Sequence, residues 1–244
     1  MRQLEHNLVV VRQRIVDAAL RAGRDPEEVT LVAVTKTQPP DVILAAYQLG
    51  VRYFGENRVE EAEGKAGALP SDAAWHMIGH IQSRKAKRVL PLFGLVHSVD
   101  STRLASRLDR LCEAQGARLR VLLELNVSGE ESKYGFGAAD WFSDGSARRS
   151  LLSALDQIAS LPHLEVVGLM TMAPIVPDPE AARTIFRHLR RIRDDLRDSI
   201  PQVSWDHLSM GMTDDFEVAI EEGATLVRVG RAIFAPDVPS WRKD

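Results

Sequence analysis

The chain has 244 residues, of which 45% are hydrophobic and 27% charged, and its formal net charge is −3. This composition is typical of a soluble globular protein with a core large enough to need no disulfide or metal. The small negative charge argues against a general affinity for nucleic acid or for an anionic membrane. The chain starts without an apolar leader segment and contains no run of 18 apolar residues, so we expect a cytoplasmic protein.

Cys112 is the only cysteine of the chain. A lone thiol cannot form an internal disulfide, and the residues around it lack the spacing of a metal site. Because it lies in a helical pattern, we expect Cys112 to be a small buried hydrophobic residue.

The predicted elements begin with a helix from about Leu4 to Ala22, which ends before Gly23. Short apolar runs and helical patterns then alternate. The runs are rich in Val, Leu and Ile, which is typical of parallel strands buried on both faces. Eight such strands are predicted, at Thr30–Thr35, Val51–Phe54, Ala74–Ile78, Leu95–Val99, Leu119–Asn126, Leu164–Met170, Trp205–Leu208 and Thr225–Val229. Capping residues, glycine stops and apolar spacing predict helices between them at Pro39–Leu49, Ser101–Gln115, Arg183–Asp198 and Asp214–Glu222.

Eight strands with helical connections in a chain of this length predict an α/β fold, a single (β/α)8 TIM barrel with an extra N-terminal helix. We take residues 1–244 as one domain. An open doubly wound sheet is the alternative, but it does not require eight units, and no Gly-x-Gly-x-x-Gly follows the first strand. The polar composition and the glycines of residues 128–149 predict a long loop. It follows the fifth strand and so lies on the face where barrel active sites lie.

Lys36 follows the first predicted strand directly. Active sites of such barrels are built at the carboxyl ends of the strands and in the loops that follow them. A lysine there is either a surface side chain or an amine aimed into the mouth of the barrel, and the sequence leaves both open. Partial burial would favour the neutral amine, which can attack an aldehyde.

Two turns that contain glycine follow the seventh and eighth strands. Gly211 and Gly230 allow a close approach of the backbone, and Ser209 and Thr213 offer hydroxyl groups. Phosphate sites of this fold recur in these two loops, where backbone N–H groups at a helix start suit an anion. Each turn alone is typical of an ordinary connection. Together with Lys36 on the neighbouring strand, they indicate a bound phosphate compound that carries a carbonyl group.

Six segments, in register along the chain, resemble one known family. They are Ala33-Val34-Thr35-Lys36, Gly55-Glu56-Asn57, Trp75-His76-Met77-Ile78-Gly79 with Gln82, Gly168-Leu169-Met170-Thr171-Met172, Ser209-Met210-Gly211-Met212 and Val227-Arg228-Val229-Gly230. The chain thus resembles, from about residue 5 to residue 235, the pyridoxal phosphate homeostasis proteins (the YggS/PROSC family). Thr213, Arg84 and Ala235 stand where that family commonly has serine, asparagine and glycine, which bears on partners more than on the cofactor.

The resemblance implies a barrel of the alanine racemase N-terminal domain type that binds pyridoxal 5′-phosphate (PLP). Lys36 would hold PLP as a Schiff base, and Arg228 would face the pyridine nitrogen. The cofactor-binding residues that it implies are Lys36, Asn57, Ser209, Met210, Gly211, Arg228, Gly230 and the backbone of Arg231. It implies neither a catalytic residue nor a metal.

Arg228 lies two residues before Gly230, so strand alternation puts its side chain on the same side as the site. It is either a structural arginine paired with a carboxylate of a neighbouring strand, or a cation that faces the ligand. A fixed cation would disfavour protonation of a pyridine nitrogen. Chemistry that needs a strongly stabilised carbanion would then be slow.

Three functions remain open. The first, which we favour, is a monomeric PLP carrier that buffers the cofactor and delivers it to apo-enzymes. The second is an amino-acid racemase, which needs a proton acceptor on each face of its intermediate. In related racemases an additional domain supplies the second acceptor, and this chain has no room for it. The third is an aldolase that uses Lys36 without a cofactor.

Three further polar residues lie in segments that could reach the site. His76 is predicted to be buried and hydrogen-bonded and His80 to lie in an exposed loop, without a third ligand for a metal. Lys133 is either an ordinary exposed lysine or a group that accepts or hands over PLP.

Overall fold

The structure of the protein is a computed structural model that describes residues 2–235. Met1 and residues 236–244, which the single-domain prediction includes, lie outside the described residues. Within residues 2–235 the elements are α1 (Arg2–Arg21), β1 (Thr30–Val34), α2 (Pro40–Gln48), β2 (Tyr53–Glu56), α3 (Val59–Ala66), β3 (Ala74–Met77), β4 (Leu95–Val99), α4 (Thr102–Gln115), β5 (Leu119–Asn126), β6 (Phe136–Gly137), α5 (Gly145–Ala159), β7 (Leu164–Met170), α6 (Arg183–Ser199), β8 (His207–Ser209), α7 (Phe216–Glu221), β9 (Leu226–Val229) and α8 (Arg231–Phe234). Short 3-10 helices lie at Pro26–Glu28, Ser83–Arg88 and Pro179–Ala182.

Eight parallel strands close into a ring in the described part of the chain. The order is β4-β3-β2-β1-β9-β8-β7-β5, and β5 pairs with β4 to complete it. Strand β6 lies outside the ring and, within residues 2–235, pairs only with the end of β5. The predicted (β/α)8 barrel is therefore confirmed, and so is the pairing of the first with the last strand, where Ala33 is opposite Val229.

Two apolar cores hold the fold together. The smaller fills the ring itself, with side chains from β1, β4, β5, β7 and β9, namely Val32, Leu95, Leu122, Val167, Met170 and Leu226. The larger lies between the ring and the helices and includes Cys112, which is fully buried as expected. Helix α6 shows how the pattern produces this layer, because it buries one apolar stripe of Phe186, Leu189, Ile192 and Leu196.

The N-terminal helix supports the end of the chain that carries the candidate site. Helix α1 packs against α7 and α8. The side chain of Asn7, which is buried, donates to the carbonyl oxygens of Ile233 and Ala235 at 3.0 and 3.2 Å. These contacts satisfy carbonyl groups at the end of α8 and tie that helix to α1.

Some predicted boundaries are wrong. The predicted loop 128–149 ends earlier, because the carboxylate of Asp144 accepts from the N–H groups of Ser146 and Ala147 and so starts α5 at Gly145. Strand β2 lies two residues later than predicted. Strand β8 begins only at His207, because Trp205 has a φ of 51° and turns the chain. Helix α7 begins at Phe216, since Asp215 closes a separate turn with the N–H of Met212.

No helix among residues 2–235 combines the length and the hydropathy that crossing a bilayer would require.

Candidate functional site

The carboxyl ends of β1, β2 and β9 lie side by side. Val34 of β1 is opposite Gly55 of β2, and Ala33 is opposite Val229 of β9. Lys36, Asn57 and Gly230 follow these pairs within two or three residues, so the structure brings these three predicted residues together at one end of the barrel. Both Lys36 and Asn57 are exposed.

Lys36 carries a free amine at this end. Its side chain is solvent-exposed, and its Nζ atom forms no hydrogen bond or ion pair with the residues that the structure describes. An amine in this state can be reached by a ligand in the mouth. Among residues 2–235, none buries the side chain of Lys36.

Gly230 allows the last turn to lie directly against β1. A side-chain Cβ at this position would come within 3.2 Å of the carbonyl oxygen of Val34 and 3.3 Å of its Cβ. Such distances are tighter than ordinary van der Waals contact. The absence of a side chain therefore lets the backbone of Gly230 pack closely against the end of β1.

The turn after β8 is tied to the turn after β9. The hydroxyl of Thr213, which is buried, accepts from the N–H of Ala232 at 3.4 Å. On the surface, Asp214 forms an ion pair with Arg231. Gly211 has a φ of 91°, and a Cβ there would lie 2.6 Å from the Cβ of Ala219. Glycine is therefore required by α7 and by the backbone, whether or not a ligand binds.

A row of polar side chains crosses the inside of the barrel. Arg228 donates from Nη1 to the hydroxyl of Ser209 at 2.6 Å and from Nη2 to the carbonyl oxygen of Thr171 at 2.9 Å. The same hydroxyl lies 2.8 Å from His97 Nδ1, and His97 Nε2 lies 3.0 Å from His76 Nδ1. Because β4 and β8 are not neighbours in the ring, these bonds bridge its interior.

The charges in this row follow from burial. Burial lowers the pKa of Arg228 to about 10, so the guanidinium remains a cation at neutral pH. Burial lowers the pKa of His76 to about 4 and that of His97 well below its ordinary value, so both rings are neutral. Burial, helped by Asp100, raises the pKa of Glu124 to about 7, although the charge of Arg228 opposes this rise.

Arg228 is thus held by the barrel as a structural cation but, within residues 2–235, without the carboxylate partner that the structural alternative predicted. Its direct partners among the described residues are a hydroxyl and a carbonyl oxygen, and not the carboxylate of a neighbouring strand. Glu124 and Asp215 act on it electrostatically from a greater distance.

Three predicted site residues have side chains that do not reach the mouth. The hydroxyl of Ser209 is fully buried and bonded to Arg228 and His97. The side chain of Met210 belongs to the outer core, and its N–H donates to the carbonyl oxygen of Leu226. The side chain of Arg231 is exposed and points to Asp214, which leaves only its backbone for the site.

The loop after β5 spans the mouth. Lys133 donates to the carbonyl oxygen of Met172 at 3.1 Å, beyond the end of β7. The ring of Tyr134 stacks on His80, beyond the end of β3, with 4.0 Å between the centroids. The two rings also line a cavity of about 430 Å³, whose other lining residues are Asn57, Arg58, Val59, Glu60, Met77, Gly79, Ile81, Gln82 and Lys85. The bond to Met172 and an ion pair with Glu130 hold Lys133 in place, and its side chain is only partly exposed.

The prediction for the two histidines is confirmed: His76 is buried and hydrogen-bonded, and His80 is exposed and bonded to Asp100 at 2.8 Å. Within residues 2–235, no three His, Cys, Asp or Glu side chains form a group that could hold a metal.

Sequence reasoning missed several polar residues near the site. His97 and Glu124 stand in the middle of apolar strands, and this position was the available signal, because a buried polar group needs a partner. Lys65 and Glu61 lie on α3, in a charged segment that is typical of a solvated helix face. Nothing in the local pattern distinguishes them.

Comparison with known proteins gives consistent matches over nearly the whole chain. A sequence model described as "Alanine racemase, N-terminal domain" matches residues 1–237. The "Pyridoxal phosphate homeostasis protein" of Aquifex aeolicus is 40% identical over 225 residues, which cover 92% of this chain and 94% of that protein. The protein of the same name from Pseudomonas aeruginosa is 40% identical over 235 residues, 96% of each chain.

Among solved structures, PipY of Synechococcus elongatus, determined with PLP bound, superposes on this chain with a TM-score of 0.79 and 34% identity. The match covers 95% of this chain and all of that one, at 100%.

Proposed function

Because the chain belongs to the alanine racemase N-terminal domain family, and within it to the pyridoxal phosphate homeostasis proteins, we propose that it binds PLP through Lys36 and takes part in PLP homeostasis. The observation that carries the proposal is the close packing of Gly230 against Val34, which places the turn after β9 next to the end of β1, where Lys36 follows. The bound PLP of the PipY structure supports the choice of ligand.

The residues present fit the three parts of this ligand. When bound, PLP supplies an aldehyde that condenses with a primary amine, with loss of water, to a coloured Schiff base. The exposed amine of Lys36 suits that aldehyde. The backbone around Gly211, Gly230 and Arg231 suits the phosphate, because glycine permits a close approach to the main chain and N–H groups of such turns bind anions.

The remaining site residues act on the ring. We propose that Asn57 lines the pocket and that Arg228 faces the pyridine nitrogen. Ser209 then works through Arg228, whose guanidinium it holds, and Met210 anchors the turn from the outer core. A cation that stays charged at neutral pH disfavours protonation of the nitrogen beside it. This arrangement favours storage of PLP over chemistry that needs a stabilised carbanion.

The finer proposal is that the protein buffers PLP and delivers it to apo-enzymes, as a cytoplasmic monomer. Delivery requires that the bound cofactor can leave. The open amine at the barrel mouth supports this, because Lys36 has no partner among residues 2–235 that would enclose it.

The visible absorption of the protein tests the binding. Wild-type protein mixed with PLP should show a Schiff-base band, and Lys36→Ala should abolish it. Lys87→Ala removes another exposed lysine, away from the strand ends, and should leave the band unchanged. A wild-type protein that stays colourless with added PLP would refute the proposal.

Delivery is tested separately. Protein loaded with PLP is mixed with an apo-enzyme, and its activation is compared with that by an equal amount of free PLP. Activation by the loaded protein at a rate above spontaneous release supports delivery. The absence of any activation would leave only storage.

A further inference from the structure

A buried ion pair lies behind Lys36, between the barrel and α3. The Nζ atom of Lys65 is 2.7 Å from Glu56 Oε1 and 3.5 Å from Glu61 Oε2. Glu56 is fully buried and Lys65 is 8% exposed. A buried ion pair is a weak source of stability, because removing both charges from water offsets much of their attraction. The role of Lys65, Glu56 and Glu61 is therefore sought in the other hydrogen bonds that these side chains form.

Those bonds hold both peptide groups that flank Lys36. Lys65 Nζ donates to the carbonyl oxygen of Thr35 at 2.8 Å, which belongs to the peptide group before Lys36. The N–H of Thr37, in the peptide group after Lys36, donates to Glu61 Oε2 at 3.0 Å. The hydroxyl of Thr35 also donates to Glu56 Oε1 at 2.6 Å. The backbone on each side of Lys36 is thus bonded to a charged group.

The backbone directly after Lys36 is strained, and one of these bonds maintains the strain. Thr37 has a φ of 64°, in the left-handed region that costs free energy for a residue with a branched side chain. Such conformations persist only where surrounding contacts impose them. The bond from Thr37 to Glu61 is such a contact, and it also lowers the pKa of Glu61, which is therefore ionised at neutral pH.

We infer that Glu61 and Lys65 are positioning residues for Lys36: by clamping its two peptide groups they direct its side chain toward the mouth of the barrel. The inference rests on the proposed function, since Lys36 must carry the cofactor. A fixed backbone limits the directions in which the amine can point. More of the amine is then in reach of an aldehyde bound at the neighbouring turns.

The test separates the covalent step from binding of the ring and phosphate. Glu61→Ala removes the acceptor of the Thr37 N–H from a partly exposed position, so the protein should still fold. We expect its affinity for PLP to fall about tenfold, the loss that one hydrogen bond to a charged group can cause. Affinity for pyridoxine 5′-phosphate, which has an alcohol in place of the aldehyde, should not change.

Two variants serve as controls. Glu61→Gln keeps an oxygen that can accept from Thr37 and should restore most of the affinity for PLP. Glu63→Ala removes a carboxylate of the same helix. This carboxylate pairs with Arg88 and not with the backbone around Lys36, so the variant should behave as the wild type.

Three results would decide against the inference. An equal loss of affinity for both ligands in Glu61→Ala would indicate general damage to the pocket. An unchanged affinity for PLP would show that the clamp has no effect on Lys36. If the wild-type protein itself forms no Schiff base with PLP, the proposed function fails first, and that result is recognised before any variant is compared.

Discussion

Inside the barrel, the guanidinium of Arg228 donates to the hydroxyl of Ser209 over 2.6 Å, at a point where neither side chain is open to solvent. Ser209 therefore acts as an acceptor for a buried cation and, through His97, as a link across the ring. The position of Ser209 in a turn typical of a phosphate site predicts contact with a ligand. In the structure, its hydroxyl instead binds Arg228 and holds the guanidinium in place.

Ser209→Ala should destabilise the protein. It leaves one N–H of a buried cation and one nitrogen of His97 without a partner, which costs about 1–3 kcal/mol. Urea unfolding of the PLP-free protein measures this loss. Ser204→Ala, at an exposed position, should change the free energy of unfolding by less than about 0.5 kcal/mol. Equal stability of the two variants would contradict the structural role of the hydroxyl.

Gly211→Ala should also destabilise the fold, by about 2 kcal/mol or more. The new Cβ would lie 2.6 Å from the Cβ of Ala219, and the φ of 91° disfavours any side chain. Gly64→Ala is the matched control, because a Cβ there meets nothing within 4 Å and its position inside α3 favours alanine by up to about 1 kcal/mol. Thermal unfolding of both should show shifts of opposite sign; a shift of the same sign would refute the steric argument.

Glu124→Gln should change how stability depends on pH. Burial raises the pKa of Glu124 from 4.5 to about 7, so between these values the folded protein holds a proton that the unfolded chain has lost. The free energy of unfolding of the wild type is therefore reduced as pH rises through this window, by up to about 3 kcal/mol.

The variant lacks this loss. Its stability relative to the wild type should increase from pH 4.5 to pH 7, measured by urea unfolding without PLP. Glu165→Gln, an exposed carboxyl on β7, controls for the removal of a charge. A difference between Glu124→Gln and wild type that does not vary with pH would show that Glu124 is not perturbed by burial.

Cys112 should not react with thiol reagents in the folded protein. It is fully buried, and burial raises the pKa of its thiol, so both access and the reactive thiolate are limited. A colorimetric thiol assay should detect no rapid reaction in buffer and one thiol per chain in denaturant. Rapid modification in buffer would mean that α4 opens readily from the outer core.

Much of the fold was predictable from local pattern. Parallel strands buried on both faces produce short continuous apolar runs, and all eight of these runs are found as strands of the ring. The boundaries of β2 and β8 were less predictable. The start of β8 depends on the turn at Trp205, whose indole N–H donates to the carbonyl oxygen of Ile200, and such a bond leaves no periodic signal.

Some residues of the candidate site were likewise predictable from the sequence, and the contacts of others were not. Lys36, Gly211 and Gly230 are recognisable from the sequence, because strand order and chain direction bring the ends of β1, β8 and β9 to one face. The bonds of Ser209 to His97 and Arg228, the bond of Lys65 to Thr35 and the field of Arg228 at Glu124 are not, because each joins residues that lie apart in the chain. Apolar periodicity is a local property and determines which elements form. Hydrogen bonds across the ring, and the burial that shifts a pKa, exist only after the ring has closed.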